Sequence, residues 1–387
     1  MTVVNLHEME AGTEFTTFEP QFRETAHYPG IHEIIQRLHD NTPAVNIPTA
    51  TLRMNGDCRQ DAMEKYLGSS DYLSSGQLKA TLKTPLDFYY SIKHEWKSEL
   101  EKCKNQKSFD LGTFIHQCIL EPTKFDRVTV EPKLSRSTTD GVERLIEFWE
   151  NKIQEFYPEN AGTICEECMD ISNSYNKLPG KKEYLANLIA ASGIHPINEV
   201  QHAQIKVTKR NYMRYGGGIL PRLMKHSKRE ISFYGQDKET GLQVRVRPDA
   251  IQFKENIGVD AIISVKSTRM EDLTGFYYQS AKLKYELSEG MYQEVVSAVT
   301  DRKFLTTLCI MVQTSAPFGV ALLRWNPEDL EVGKYKYRQA LYNAKECIET
   351  NSYPGFDAFA ESGNYGIIEM KQPGWAAKPL PEVELSN

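Results

Sequence analysis

The sequence predicts an α/β fold with a mixed central sheet flanked by helices, on three observations. Two stretches within residues 242–268 alternate as strands do. In the first, Leu242, Val244 and Val246 oppose Gln243, Arg245 and Arg247; in the second, Ala261, Ile263 and Val265 oppose Ser264 and Lys266. Residues 304–312 and 319–325 form two further apolar runs separated by Thr314-Ser315-Ala316-Pro317. Helical faces accompany them: Val142, Leu145, Ile146, Trp149, Ile153 and Phe156 in one, and Leu283, Leu287, Met291 and Val295 in another.

The 387 residues suit one large domain with appendages or two small ones, and a 40% hydrophobic content can fill a core. A net charge of -6 argues against a protein that coats nucleic acid over its whole surface, but leaves room for a local basic channel. Seven irregularly spaced cysteines suggest free thiols in a reducing compartment. The opening MTVVNLHEMEAGTEF has no basic n-region or apolar h-region, and no apolar run approaches membrane-spanning length. The expectation is a cytoplasmic protein with no membrane partner.

In chain order, residues 1–65 are polar and punctuated by Pro20, Pro29, Pro43 and Pro48, with a short amphipathic candidate at 31–38. They read as an extended leader or a docking arm. Ser74 and Ser75 stand at N-cap positions of a helix that continues through Leu78 and Leu82 and halts near Pro85, with Phe88, Tyr89 and Tyr90 as core aromatics. Leu111, Ile115, Cys118 and Ile119 then fall at helical spacing until Glu121-Pro122. A lone His116 on such a helix is more often structural than a ligand.

The polar loop 133–141 holds Arg136, whose guanidinium can fork onto a phosphate or stay in water. The helix after it carries the first apolar face above. Cys165 and Cys168 have the spacing of a zinc or redox pair, yet no partner pair lies near, so they read as incidental. Residues 160–200 are helical to about Gly193. The segment 206–229 is the most basic, and its lysines and arginines interleave with Tyr212 and Tyr215. That suits contact with backbone phosphates, and equally a solvated face.

Glu230-Ile231-Ser232-Phe233-Tyr234 begins the sheet, and residues 237–241 turn into an antiparallel hairpin whose own turn is 254–258. Centred at Asn256 and Ile257, this turn sets Asp249 across from Ser264 and one step from Lys266. A carboxylate and an ammonium so placed can hold a divalent cation against a phosphate while the lysine positions an attacking water. A surface ion pair gives the same spacing and contributes little. A helix at 335–349 follows the last strands, and residues 353–387 read as a tail that is mobile from 372 onward.

Arg247-Pro248-Asp249, followed after the hairpin by Ser264-Val265-Lys266, resembles the core of PD-(D/E)xK nucleases. The phrases YLSSGQLKATLKTPLDFYY and LGTFIHQCILEPTKF are similar to the exodeoxyribonuclease VIII (RecE-like) branch. The resemblance divides the chain into a leader (1–65), a nuclease domain (66–352) and a tail (353–387). It implies a PD-(D/E)xK restriction-endonuclease-like core using Mg²⁺ or Mn²⁺ to hydrolyse linear double-stranded DNA from 5′ to 3′. It also implies a homo-oligomeric ring working with a single-strand-annealing recombinase in phage or prophage recombination. For the site it implies His116 and Asp249 as metal ligands, the Val265 carbonyl completing a coordination position, Lys266 orienting water, and Arg136, Arg245 and Arg247 at the nucleic acid.

The chain departs from the family pattern twice. The acid expected two residues before the lysine is Ser264, and the glutamine expected between Tyr285 and Tyr292 is Ser288. In one reading the acid has moved to the following helix, as in restriction endonucleases of this superfamily with Ser-x-Lys on the strand. At about 100° per residue Glu289 lies nearer the tyrosine face than Glu286 and is the preferred replacement, although its gap from the lysine is longer than in those enzymes. In the other reading the site is impaired, and the fold binds DNA or a protein partner without cutting. Glu230, Ser264, Glu286, Ser288 and Tyr292 are expected to line the site behind the ligands.

Overall fold

Strand formation follows the apolar alternation. In the computed structural model, which describes residues 30–40, 43–45, 47, 57–92, 106–120, 128–172 and 175–371, the strands in chain order are β1 (Asp57–Arg59), β2 (Val128–Val130), β3 (His195–Ile197), β4 (Lys228–Arg229), β5 (Ser232–Gln236), β6 (Gln243–Val246), β7 (Ala250–Gln252), β8 (Ala261–Thr268), β9 (Thr306–Gln313) and β10 (Val320–Arg324). The central sheet runs β10-β9-β8-β7-β4, with β8 and β9 parallel and the other neighbours antiparallel. β1, β5 and β6 form an antiparallel sheet of their own, and β2 pairs with β3. This is the mixed α/β architecture expected.

A parallel pair needs a crossover, and the helices Leu273–Lys282 and Tyr285–Thr300 supply the one between β8 and β9. The alternation along β8 sorts two cores. Ala261, Ile263 and Val265 pack with Leu308, Ile310 and Val312 beneath the helices Gln106–Leu120 and Ile31–His39. Ile262 faces the opposite core, with Leu287, Met291 and Val295 of the crossover helix. Ser264 and Lys266 share the Ile262 face, so the sheet presents them to helix Tyr285–Thr300.

That helix is held by a close crossing with helix Pro327–Thr350. A Cβ on Gly333 would lie 2.0 Å from the Glu286 carbonyl oxygen, and one on Gly290 would lie 2.7 Å from the Lys334 amide nitrogen. Only glycine at both positions lets the backbones approach so closely. Helices Thr139–Phe156, Ala161–Asp170 and Leu178–Ser192 build a separate cluster around Trp149 and Tyr184.

The structure corrects several expectations. The strand opposite β8 is β7, not the 242–247 stretch. Pro248, which has no N–H to donate, ends β6, and β6 pairs with β5 instead. The connection from β7 to β8 is the short helix Lys254–Ile257 rather than a tight turn, closed by Gly258 at φ 91°. The boundary at residue 65 cuts through the packing: Ile31, Ile34 and Leu38 are buried in the core, and Cys58 of β1 is fully buried. Phe156 and Leu283, expected on apolar faces, are exposed at helix ends. Glu121-Pro122 and residues 372–387 lie outside the described residues. No described helix is long and apolar enough to cross a membrane.

Candidate active site

Asp249 precedes β7, and extending the register Ala250↔Ile263 by one pair sets it across from Ser264. The register read from the sequence therefore holds although its turn does not. Asp249 Oδ2 accepts the Val265 amide at 2.5 Å and lies 3.5 Å from Lys266 Nζ; Oδ1 is 3.2 Å from His116 Nε2.

His116 arrives on helix Gln106–Leu120, which buries Ile115 and Ile119 against the sheet. A Cβ at Gly112 would come within 2.9 Å of Ser267 Oγ, so this glycine lets the helix pass close to the end of β8. The last carbonyls of the helix accept from Arg229, which donates to Leu120 O at 3.0 Å, a cation where the helix dipole favours one. Arg222 does the same for Leu38 and His39 at the end of helix Ile31–His39. Two cations of the basic segment are thus engaged inside the protein.

Glu230 lies between β4 and β5 at φ 55°, a left-handed conformation that turns its side chain toward the site. Its Oε1 is 3.9 Å from His116 Nδ1, while Oε2 accepts Arg247 Nε at 2.7 Å. One ligand atom from each of His116, Glu230 and Asp249 falls within 4.8 Å of the others. Among the described residues this is the group able to hold a metal ion. Glu230 therefore joins the ligand atoms rather than standing behind them.

Glu289 comes from the crossover helix and is buried. The Ser264 hydroxyl lies 2.7 Å from its Oε2 and 2.8 Å from its Oε1, and Lys266 Nζ is 3.8 Å from Oε1. The preferred replacement acid does reach the strand, through the serine that stands in the family acid's place. It lies outside the His116, Glu230 and Asp249 grouping and meets the lysine instead. Glu286 points elsewhere: its Oε1 pairs with Lys336 at 2.6 Å. Ser288 donates to Ser75 Oγ at 3.1 Å, and Tyr292 packs against the core below the crossover helix.

Charge and burial set the protonation states. Burial alone would raise the Asp249 carboxyl, but Lys266 and His116 outweigh it and hold Asp249 well below the ordinary carboxylate range. Burial would lower Lys266, yet Asp249 and Glu289 raise it well above its usual value. His116 is raised because Asp249 outweighs burial. Glu230 and Glu289 are each raised by burial, offset in part by Arg247 and by Lys266 respectively. An ionised Asp249 beside a charged lysine is the state that metal-assisted chemistry needs.

One imidazole and two carboxylates, at the edge of solvent with the His116 side chain 34% exposed, form a donor set suited to a hard divalent cation such as Mg²⁺ or Mn²⁺.

The arginines are a correction. Arg245 is buried and donates to the carbonyls of Tyr66 and Ser69 at the end of helix Met63–Gly68. Arg247 is spent on Glu230, the Asp61 carbonyl and Ser232. Both side chains are turned inward, Arg245 at 4% exposure and Arg247 with its side chain at 7%, so neither presents its guanidinium to a bound strand. Arg136 remains in an exposed loop, where its Nη2 donates to both carboxylate oxygens of Glu131 at 2.7 and 2.8 Å.

Sequence reasoning missed Lys79, which reaches the site from helix Ser75–Thr81, and Cys309, which stands beside Ser264 on β9. Burial pushes the Cys309 thiol up to about 12, so it is a neutral neighbour. The position of Lys79 one turn after the serine cap was the available signal. Cys165 and Cys168 lie on a helix with their thiols raised by burial.

Comparison with curated proteins gives no match. Among solved structures, the chain is similar to a "putative exonuclease" from Eubacterium rectale, at 11% identity and a TM-score of 0.44, covering 82% of this chain and 97% of that one. It is also similar to the protein SSO0001, at 12% identity and a TM-score of 0.22, covering 64% and 89%. The sequence itself matches a family profile across residues 74–363, and the chain belongs to that family, described as a PDDEXK-like domain of unknown function (DUF3799).

Proposed function

We propose that this protein is a metal-dependent nuclease that hydrolyses phosphodiester bonds of linear double-stranded DNA. The observation that carries the reading is the convergence of His116, Glu230, Asp249, Lys266 and Glu289 from separate elements on one partly open site. His116, Glu230 and Asp249 would hold Mg²⁺ or Mn²⁺, with the Val265 carbonyl as a further oxygen. When bound, such a cation polarises the phosphate and makes water a stronger nucleophile at neutral pH. Lys266 keeps its proton between Asp249 and Glu289, so its ammonium orients the attacking water or offsets charge that develops on the phosphate. Glu289 keeps the lysine charged and aimed, and Ser264 fixes the carboxylate of Glu289.

The finer reading is an exodeoxyribonuclease VIII-like enzyme. It would act from 5′ to 3′ as a homo-oligomeric ring with a single-strand-annealing recombinase, in the cytoplasm of a bacterial or phage-infected cell. The motifs around His116, Asp249 and Lys266 support it. A second reading keeps the fold for binding DNA or a protein without hydrolysis. The observation on its side is that Arg247 already occupies one oxygen of Glu230, which reduces the charge available to a cation. Incubating linear and circular duplexes of one sequence with Mn²⁺ separates these outcomes. Loss of the linear form alone supports the exonuclease; survival of both leaves the binding reading.

A further inference from the structure

Helix Ser75–Thr81 is fixed in register by a capping box between Ser74 and Gln77 and is anchored by buried Leu78 and Thr81. Ser75 meets Ser288 of the crossover helix at 3.1 Å. Lys79 is one turn further along the same face. Its Nζ lies 5.6 Å from the centroid of the Tyr285 ring, and Lys266 Nζ lies 5.7 Å from the same centroid. Two ammonium groups therefore share one aromatic ring at the site.

Their circumstances differ. Lys266 is paired with Asp249 and Glu289. Lys79 is partly buried, and among the described residues the contact that holds its ammonium is the Tyr285 ring, with no carboxylate or hydrogen-bond acceptor at pairing distance. Burial pushes it down to about 8; Glu289 and Glu286 act against that shift, while Lys266 and Lys284 add to it. A partly desolvated cation without a partner is costly, and beside Lys266 it is tolerated best where an anion visits. The carboxylates nearby are engaged already: Glu289 by Ser264 and Lys266, Glu286 by Lys336.

We propose that Lys79 is a substrate-binding residue whose ammonium takes a backbone phosphate of the DNA strand beside the one that Lys266 faces. The assignment rests on the nuclease reading for the identity of the strand. It does not rest on cleavage, and that separates the two experimentally. Tyr285 holds the lysine in place through its ring face, and the phosphate replaces the hydration that burial removes.

The test is equilibrium binding of a fluorescent linear duplex, followed by anisotropy over a salt series in chelator so that nothing is cut, for wild type, Lys79→Met and Lys79→Arg. Losing one phosphate contact should weaken Lys79→Met about tenfold and make the slope of log K against log salt shallower by about 0.9, with Lys79→Arg recovering both. A Lys79→Met protein with the slope and affinity of wild type overturns the proposal. If Lys79→Met does not fold, lysine methylation of the wild type read by mass spectrometry decides. Lys79 protected by duplex but not by inorganic phosphate supports the proposal; equal modification with and without duplex, or protection by phosphate alone, overturns it. Absence of cleavage with Mn²⁺ in a separate assay would defeat the nuclease reading while leaving the salt slope to judge Lys79.

Discussion

The hydroxyl of Ser264 on β8 stands 2.7 Å from Oε2 of Glu289 on the crossover helix, so the residue two places before Lys266 binds a buried carboxylate supplied by another element. If this pair does the work of a single strand carboxylate, the charge can be moved back. Glu289→Gln should slow cleavage about 100-fold, and adding Ser264→Asp to it should restore part of the loss, read as initial rates on linear duplex. A double variant no faster than Glu289→Gln would show that the two positions are not interchangeable.

Glu289 also gives stability a pH dependence. Its carboxyl is raised in the folded chain, so the native state binds that proton more tightly than the unfolded state does. The stability it contributes is greatest below the ordinary glutamate range and declines as pH rises through the raised value. Ionised Glu289 is therefore a cost at neutral pH. Glu289→Gln should melt at or above wild type at about pH 8, with the difference narrowing toward about pH 4. A lower melting temperature at the alkaline end would contradict the sign.

Cation affinity should follow the grouping of ligand atoms. In calorimetric titrations with Mn²⁺, Asp249→Asn, Glu230→Gln and His116→Ala should each weaken binding by about tenfold or more, because carboxylate count and site geometry set the affinity of hard cations. Glu289→Gln should weaken it less. Equal losses at Glu289 and Asp249 would place Glu289 among the ligands.

Arg245 is assigned to the fold rather than to DNA. Replacing it by Met removes the guanidinium donor that the Tyr66 and Ser69 carbonyls share, leaving them only their longer backbone hydrogen bonds from Ser69 and Tyr72. Arg245→Met should cost about 1–3 kcal/mol in chemical unfolding and leave the salt dependence of DNA binding unchanged. A shallower salt slope with unaltered stability would reverse the assignment.

The sequence carried the sheet and the centre of the site because both depend on local periodicity. The alternation at Ala261, Ile263 and Val265 determined which way Ser264 and Lys266 face, and the pairing of Asp249 with Ser264 followed from symmetric strand lengths, even though a short helix replaced the turn. The contacts that were not legible are those made through space between distant segments. Arg245 and Arg247 look exposed by alternation, since nothing nearby in the chain announces the carbonyls of Tyr66 and Ser69 or the carboxylate of Glu230. Residues 31–39 look like part of a leader because their apolar stripe is short; its partners, Ile257 and Ala261, lie more than 200 positions later. The turn of Glu230 toward His116 is not legible, because a left-handed φ at a non-glycine residue has no signature in sequence.

The most direct test is the initial rate at which end-labelled linear duplex is degraded in Mn²⁺ by wild type and by Lys266→Ala, with circular dichroism confirming that both are folded. Wild type should release label and Lys266→Ala should be slower by about 10²- to 10³-fold, since the charged group facing the phosphate is gone. Equal rates in the two proteins, or none in either, would contradict the account.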